Sequence, residues 1–428
     1  MLVHQWLQWV NSLSPAELLW VLAPILMMDA PRYALGTLAV WLCDFCEHLS
    51  NIVWGREETG NFAHQPRCCA IVAGLNEADS LGQTLGSLSG AYPNLQIVVV
   101  DDGSTDGMSE VASLFARTHA DTTVVRKPDR GGKSSALNAA LPFTDAEILV
   151  CVDSDSHLGE GAIWEIVQAF VDPKVAAVSG TVLVRKPFVN LLTWIQALEY
   201  YRCIFLGRMF TSRLGILGIV SGAFGAYRRD AILQVGAWDV GPGEDGDLTL
   251  RLRRAGYDVV FAPYAQCFTN PVRKMGPLSK QRRRWEWAVI TLECRKHIEM
   301  ANPFRADFRF SNFVMILDRW FYSIVLQYGF LAYVIWLAFH PHPYLVYQFL
   351  LFYVVYLGME ILQLMILLFY CDQRWRILAI GAVFPCMPFY YIWMRFVTIW
   401  AITEELLIRR SYKDNFVPER VRNVTWHW

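Results

Sequence analysis

The sequence predicts an α/β domain with a mostly parallel sheet, inserted between membrane-spanning α-helical segments at the two ends of the chain. Three observations predict it. From Arg67 to about Ala301, short apolar runs alternate with helical patterns, the signature of a parallel sheet covered by helices. From Phe313 onwards the apolar runs lengthen to the ~20 residues a helix needs to cross a bilayer. The 428 residues are 54 % hydrophobic and 18 % charged, more apolar and less charged than a typical soluble domain. The formal net charge of −1 gives no global attraction to nucleic acid or anionic lipid, so any basic function has to be local.

The N-terminal segment, 1–54, reads as membrane. Trp6 and Trp9 suit the headgroup level. Residues 18–28 and 33–45 are apolar, with MDAPR between them. Each run is short for a span; with flanking residues both cross, and MDAPR is the outer turn. A single interrupted helix is the alternative. The stretch has no basic n-region and no clear small-residue cleavage site, so it is read as retained rather than as a cleaved leader. The ten cysteines form no disulfide framework, and Cys43 and Cys46 make a CxxC with no second pair, which reads as packing. Cys68 and Cys69 are neighbours in a strand and face opposite sides of it.

In the middle of the chain CCAIVAG, QIVVVDD, TTVV, EILVCVD and KVAAVSG fit buried strands, with SLGQTLGSLSG and GMSEVASLFAR as helices between them. Ligands in such sheets bind beyond the carboxyl ends of the strands, where VVVDDGS and VCVDSDS carry acids. Two stretches break the soluble pattern. Residues 188–217 are long and apolar yet hold Glu199, Arg202, Arg208 and Arg213; those charges predict a helix lying in the membrane interface. Residues 278–297, with KQRRRWEW, have the same character.

The C-terminal region, 313–400, predicts transmembrane helices. Residues 313–339 and 344–370 are long enough to cross, and each holds one acid, Asp318 and Glu360; an acid in a span faces protein or water. FHPHPY carries no Lys or Arg, whereas CDQRWR is basic, which places the first outside and the second in the cytoplasm. Residues 377–400 are broken by Pro385 and Pro388, a third span or a re-entrant hairpin. The basic tail, 401–428, favours a cytoplasmic end and hence the hairpin.

The candidate chemistry is acidic and oxygen-rich. In VVVDDGSTD, Asp101 and Asp102 end a strand and Gly103 permits a turn; alone this is an ordinary strand-turn-helix corner, or a carboxylate for a ribose hydroxyl or a base N–H. In VCVDSDS, Asp153 and Asp155 lie two apart and face the same way, so both can approach one cation, and magnesium or manganese takes such ligands with substrate phosphates. GGKSS in RKPDRGGKSSALN lacks the first glycine of a P-loop, Lys127 standing there, so an ATPase is excluded; Lys133 is a point charge for phosphate and Gly131 and Gly132 allow close backbone approach. GPGEDGD sets Glu244, Asp245 and Asp247 before a helix, either plain helix N-terminal acids or a general base over an acceptor hydroxyl. KQRRRWEW fits an interfacial belt, and equally an arginine grip on a diphosphate beside a tryptophan stacking on a sugar.

DDGS, DSD, GED and Gln281-Arg282-Arg283-Arg284-Trp285, in this order and flanked by apolar helices, resemble the processive family 2 membrane glycosyltransferases, which include the cellulose, chitin, hyaluronan and poly-N-acetylglucosamine synthases. The motifs cover about 66–300, and the layout covers the rest. The resemblance implies a cytosolic GT-A, Rossmann-like domain with amphipathic interface helices near 188–217 and 278–297. It implies that Asn76, Glu77 and Asp102 contact the donor nucleoside, that Lys133 and Arg284 meet the diphosphate, and that Asp153 and Asp155 bind the donor's Mg2+ or Mn2+, Asp155 foremost. It makes Asp245 the catalytic base, and sets Trp285, Glu244 and Gln281 on the acceptor side together with SGAFGAYRRD, which holds Ser221 and Gly222. One departure is that Gly243 stands where the family has threonine.

The activity so implied is a single inverting displacement from a UDP-sugar, with N-acetylglucosamine favoured by the size and layout of the chain, extending a β-linked exopolysaccharide and threading it across a bacterial inner membrane. The implied partners are the UDP-sugar, the growing polysaccharide, the bilayer and a small membrane or periplasmic export partner, with no nucleic acid. The rivals are a UDP-glucose-using glucan synthase, a non-processive enzyme that transfers one sugar to a lipid, and a degenerate homologue acting as a membrane scaffold.

Overall fold

The computed structural model describes residues 2–27, 34–54, 64–239, 243–414, 418, 419 and 421. Its N-terminal helices are α1 (Leu2–Ser12), α2 (Pro15–Met27) and α3 (Gly36–Trp54). The MDAPR turn lies outside the described residues, as does most of the tail beyond 414.

The described strands form one eight-stranded sheet: β1 (Cys68–Gly74), β2 (Gln96–Asp101), β3 (Thr122–Arg126), β4 (Ile148–Asp153), β5 (His157–Leu158), β6 (Val175–Val184), β7 (Phe224–Arg228) and β8 (Asp258–Thr269), in the order β3-β2-β1-β4-β7-β6-β8-β5. All run one way except β7 and β5, so the sheet is mixed but mostly parallel. Five of these strands coincide with the apolar runs read from the sequence. The helices among them are α4 (Ala78–Leu88), α5 (Met108–Ala116), α6 (Lys133–Ala140), α7 (Ala162–Gln168), α8 (Leu191–Tyr200), α9 (Gly207–Arg213), α10 (Arg229–Gln234), α11 (Glu244–Arg254) and α12 (Met275–Ala288).

The strands alternate their side chains between two cores. Val72, Val99, Val150 and Val152 pack with Leu81, Leu85, Met108 and Ile166 on one face. Ile71, Val98, Val100 and Leu149 pack with Leu137, Ile232, Leu248 and Leu252 on the other. Cys68 falls in the first core and Cys69 in the second. A fully buried strand needs no polar face, so β1, β2, β4 and β6 read as nearly unbroken apolar runs.

A π-helical stretch, Tyr201–Leu206, joins α8 to α9 in one long helix. The sequence predicts that its charges face the interface. Instead Glu199 and Arg202 are both buried, 6 % and 2 % exposed. Each has an opposite charge, as burial of an ion demands: Glu199 Oε2 meets Arg282 Nη2 at 2.5 Å, and Arg202 Nη1 meets Glu360 Oε1 at 2.6 Å. This helix therefore lies between the sheet domain and the C-terminal helices, contacting both.

Those C-terminal helices are α13 (Phe310–Trp320), α14 (Leu326–Phe339), α15 (Leu345–Tyr370), α16 (Arg374–Gly381) and α17 (Met387–Ile408). Among the described residues three segments are long and apolar enough to cross a membrane: 310–339, 345–370 and 374–408. Neither α2 nor α3 is one of them. Glu360 faces Arg202 and not lipid, while Val346, Phe349, Leu350, Val354 and Met365 of the same helix are exposed. Pro385 and Pro388 fall at the break between α16 and α17, where proline's missing N–H costs nothing. Both ends of 374–408 meet the sheet domain and its interface helices. Trp194 Nε1 donates to the Ile380 carbonyl at 2.9 Å, and Arg295 Nη1 donates to Glu405 Oε1 at 2.6 Å.

Candidate active site

The carboxyl ends of β1, β2 and β4 converge with the loop before α6, the Ser221–Gly222 turn before β7 and the start of α11. At the end of β2 the two aspartates divide the work. Asp101 caps its own turn, accepting from the Ser104 N–H at 2.7 Å and from the Ser109 hydroxyl. Asp102 accepts from the Gly131 N–H at 2.9 Å, the Gly132 N–H at 2.7 Å and the Lys127 ammonium, so both its oxygens fasten the glycine loop. Gly103 has φ +84°, and a Cβ there would stand 2.9 Å from the Arg130 nitrogen; only glycine fits so close a backbone approach. Asn76, at φ +57°, braces the same corner: its Oδ1 accepts from the Thr105 N–H at 2.9 Å, and its own N–H donates to Ser104 Oγ at 2.9 Å. Glu77 accepts from the Ser80 hydroxyl at 2.7 Å.

The second group centres on Lys133, the first residue of α6. Its Nζ reaches Asp153 Oδ1 at 2.5 Å, the Gly222 carbonyl at 2.9 Å and Glu244 Oε1 at 3.6 Å. Burial opposes its charge, but Asp153 and Glu244 beside it hold Lys133 well above the ordinary lysine range. Burial pushes Glu244 up to about 7, with Lys133 opposing and Asp245 adding to the rise. Asp245 Oδ2 accepts from the Gly222 N–H at 3.0 Å, and its Oδ1 accepts from the Gly246 N–H at 2.8 Å. A Cβ at Gly222 would stand 3.0 Å from Asp245 Oδ2 and 3.1 Å from Lys133 Nζ. Gly222→Ala is therefore expected to cut turnover at least about tenfold, the range for a displaced catalytic group, with the melting temperature within a few degrees of the parent. Steady-state kinetics beside a thermal melt checks both.

Gly243, the departure from the family pattern, caps α11 at φ +76°, and a Cβ there would meet the Ala288 Cβ at 3.0 Å. Backbone and neighbour both oppose a threonine here. Two residues after Asp245, Asp247 accepts from Arg251 at 2.8 Å, Lys296 at 2.7 Å and His297 at 2.8 Å. It clamps α11 to the π-helical stretch that continues α12. Arg251 is one helical turn away, but the cluster was not legible as a unit because Lys296 and His297 lie far along the chain.

The long helix also reaches the Ser221–Gly222 turn through Ser179. Arg208 Nη1 donates to Ser179 Oγ at 2.6 Å, and the Ser221 N–H donates to the same oxygen at 3.2 Å. Burial pushes Arg208 down to about 10, and the Asp245 carboxylate works against that. Arg208 and Lys127 are the site's cations that the sequence reading passed over; the basic stretch RKPDRGGK was a signal for the second.

In α12 the three arginines part. Arg282 pairs with Glu199, and its guanidinium lies 4.2 Å from the Trp285 ring centre. Arg283 pairs with Glu404 of α17. Arg284 is half-buried and Trp285 is 46 % exposed. Gln281 Oε1 is buried with no hydrogen-bond partner among the described residues. Glu286, one residue beyond Trp285, also has a buried oxygen without a partner. Burial raises Glu286 to about 7 against the pull of Arg319 and Arg282, with Glu293 adding to the rise. An acid whose folded value is raised is proton-bound in the fold but not in the unfolded chain between pH 4.5 and 7. Stability is therefore lost as pH rises through that window. Glu286→Gln is expected to match the parent near pH 4.5 and to be more stable by up to ~3 kcal/mol at pH 8. Melting temperatures at the two pH values check it.

No cluster of three or more His, Cys, Asp or Glu side chains able to hold a metal is present among the described residues. Asp153 and Asp155 nevertheless suit a divalent cation shared with a substrate. Burial raises Asp155 to about 6, and the Asp153 and Glu77 carboxylates add to it, a repulsion that a cation would relieve. Two carboxylates leave room for phosphate oxygens and water in an octahedral shell.

A mixed, mostly parallel sheet with acids at its strand ends defines an α/β class of protein that binds its ligand beyond the carboxyl ends of the strands. Residues 66–288 match Glycosyltransferase like family 2, and the chain belongs to that family. Its fold is GT-A. The chain is 31 % identical over 218 residues to the poly-beta-1,6-N-acetyl-D-glucosamine synthase of Staphylococcus epidermidis, a match covering 50 % of this chain and 52 % of that one. It is 27 % identical over 263 residues to the synthase of the same name from Staphylococcus aureus strain MSSA476, covering 60 % and 63 %. The chain thus spans about half the length of the curated relatives it matches. Among solved structures, the mannosyltransferase PcManGT from Pyrobaculum calidifontis, in complex with GDP-Man and Mn2+, superposes with a TM-score of 0.59 at 22 % identity, covering 88 % of this chain and 99 % of that one. That likeness shows the fold.

Proposed function

We propose that the chain is an inverting, processive hexosyltransferase that extends a β-linked polysaccharide from a UDP-sugar, UDP-N-acetylglucosamine, at the cytosolic face of a bacterial inner membrane, and feeds the product outwards between its C-terminal helices. The observation that carries this reading is the convergence of Asp153, Lys133, Gly222, Glu244 and Asp245 within one hydrogen-bonded group. The names of the relatives supply the sugar and the linkage. Segments 310–339 and 345–370 cross the bilayer, 374–408 enters and returns as a hairpin, and the N-terminal helices complete the bundle.

Asp245 is held by two backbone N–H groups with its carboxylate towards the Gly222 turn, so it is oriented to take a proton from an acceptor hydroxyl. That oxygen attacks the anomeric carbon from the face opposite the nucleotide, and UDP leaves. Lys133 and Arg284 meet the charge that develops on the diphosphate. Asp153 and Asp155 would hold Mg2+ or Mn2+, which supplies further positive charge at the leaving group when bound. Trp285 offers its exposed ring to the acceptor sugar. Glu244 and Lys133 share the charge next to the base, and Asn76, Glu77 and Asp102 shape the nucleoside side.

UDP release by the purified full chain tests this, with a panel of UDP-sugars and each metal, followed by sizing of the product. UDP-N-acetylglucosamine is expected to give metal-dependent turnover and long chains. Single-sugar products on lipid would replace processivity, and turnover with UDP-glucose alone would replace the donor.

A further inference from the structure

Three loops far apart in sequence are knitted together where α8, α12 and α16 begin. Asn190 Nδ2 donates to the Arg273 carbonyl at 3.0 Å, and Gln196 Nε2 donates to the Val272 carbonyl at 2.7 Å. Trp194 donates to the Ala379 and Ile380 carbonyls and meets Phe188 edge-on at 5.6 Å. Arg376 lies 5.5 Å over the Phe268 ring. These bonds assemble one surface. The first loop brings Arg185 and Lys186, the second Arg273 and Lys274, the third Arg374 and Arg376. Asp372 is the one acid in the three segments 185–191, 272–275 and 371–376. None of the six cations forms an ion pair among the described residues. Between them stand exposed apolar side chains: Phe188 at 55 %, Leu191 at 55 %, Met275 at 44 % and Trp375 at 85 %.

We infer that this surface docks anionic phospholipid headgroups of the leaflet that faces the sheet domain. The inference rests on the membrane placement proposed above. Three features select this occupant. The charge is local and strongly positive in a chain whose net charge is −1, so it complements an anionic surface. Cations interleaved with aromatic and aliphatic side chains suit the headgroup boundary, where the ring goes down and the charge stays up. And the third segment, a short loop and the first turn of α16, starts directly after α15, an apolar helix of 26 residues, so the patch lies at the depth where that helix leaves the hydrocarbon. Because α8 carries Glu199 and α12 carries Arg282, a headgroup bound here touches the first turns of both helices that frame the candidate active site.

The test uses the full chain in vesicles of phosphatidylcholine alone or with about a third phosphatidylglycerol. An alkaline wash first establishes that the chain stays in the bilayer; release by that wash would sink the membrane placement itself. Bromine-labelled lipids of each type then quench Trp375, read as the difference between the parent and Trp375→Phe. Each basic residue near an anionic surface contributes roughly fivefold in association, so labelled phosphatidylglycerol is expected to quench at least about fivefold more effectively than labelled phosphatidylcholine. The variant R273Q/K274Q/R374Q/R376Q is expected to lose that preference while staying membrane-bound and keeping its UDP release in phosphatidylcholine. Equal quenching by both lipids overturns the inference. So does a preference that survives the four substitutions. Absence of quenching together with capture of polyglutamate overturns it in favour of an acidic protein.

Discussion

Asp245→Asn is expected to lower UDP release on the order of 10²-fold or more while leaving the donor KM within a few-fold. The asparagine keeps the shape, but its single carbonyl oxygen can accept from only one of the Gly222 and Gly246 N–H groups, which bond to different carboxylate oxygens at 3.0 and 2.8 Å. It loses that one bond and, with the charge, the capacity to take a proton. Glu244→Gln is the informative companion. Its carboxyl lies 3.6 Å from Lys133, and burial raises it to about 7, so it shares the charge of the group without being held towards an acceptor. If Glu244→Gln falls as far as Asp245→Asn, the pair acts as one unit. If Asp245→Asn retains turnover, the base lies elsewhere and the assignment fails.

The sheet was legible where burial on both faces makes a strand continuously apolar. β1, β2, β4 and β6 satisfy that condition, and the sequence marks them; β3, a half-buried edge strand, is marked by its Thr and Val run instead. β7 and β8 are not marked. β7 is FGAYR, short and rich in small residues, because Gly225 lies against Val220, where a Cβ would come within 2.4 Å. β8 contains Pro263, which normally argues against an inner strand. The pairing with β6 jumps from Gly180–Ala262 to Thr181–Gln266, so the proline sits in a bulge, and Thr181 Oγ1 donates to its carbonyl at 2.7 Å. Local propensity cannot announce a bulge that the neighbouring strand creates.

The candidate site was legible in its acids, because short motifs at the ends of β2 and β4 and at the start of α11 put them there. It was not legible in its supports. Asp102 was read as a donor contact, yet both its oxygens hold the loop that brings Lys133 into place. The tie from Arg208 through Ser179 to Ser221 joins residues that chain distance separates. KQRRRWEW illustrates the same limit: nothing in the run of letters tells Arg282 from Arg284, but helical spacing points Arg282 at Glu199 and Arg283 at Glu404, and their roles diverge.

Breaking the Arg202–Glu360 pair is expected to produce the largest loss of stability. The two side chains are 2 % and 1 % exposed and 2.6 Å apart. Gln363 accepts from Arg202 Nε at 2.6 Å, and the guanidinium lies 4.9 Å from the Tyr391 ring centre. Removing one partner of so buried a pair leaves an uncompensated charge, a loss of about 3–5 kcal/mol. Glu360→Leu should therefore melt on the order of 10 °C below the parent. Arg202→Met together with Glu360→Leu should recover most of that, since a buried pair replaced by apolar side chains of similar volume is often neutral. The functional consequence separates this pair from ordinary packing. Arg202 lies three residues after Glu199 on one continuous helix, and Glu199 holds Arg282 next to Trp285. A helix that shifts to hydrate Arg202 carries Glu199 with it, so Glu360→Leu should also lose turnover measured below its melting temperature, and the double variant should regain it. Turnover that stays low in the double variant despite restored stability would mean that the charge itself, and not the seating of the helix, serves the reaction. A single variant as stable as the parent would mean that water reaches the pair, and the helix would then be seated by its apolar contacts alone.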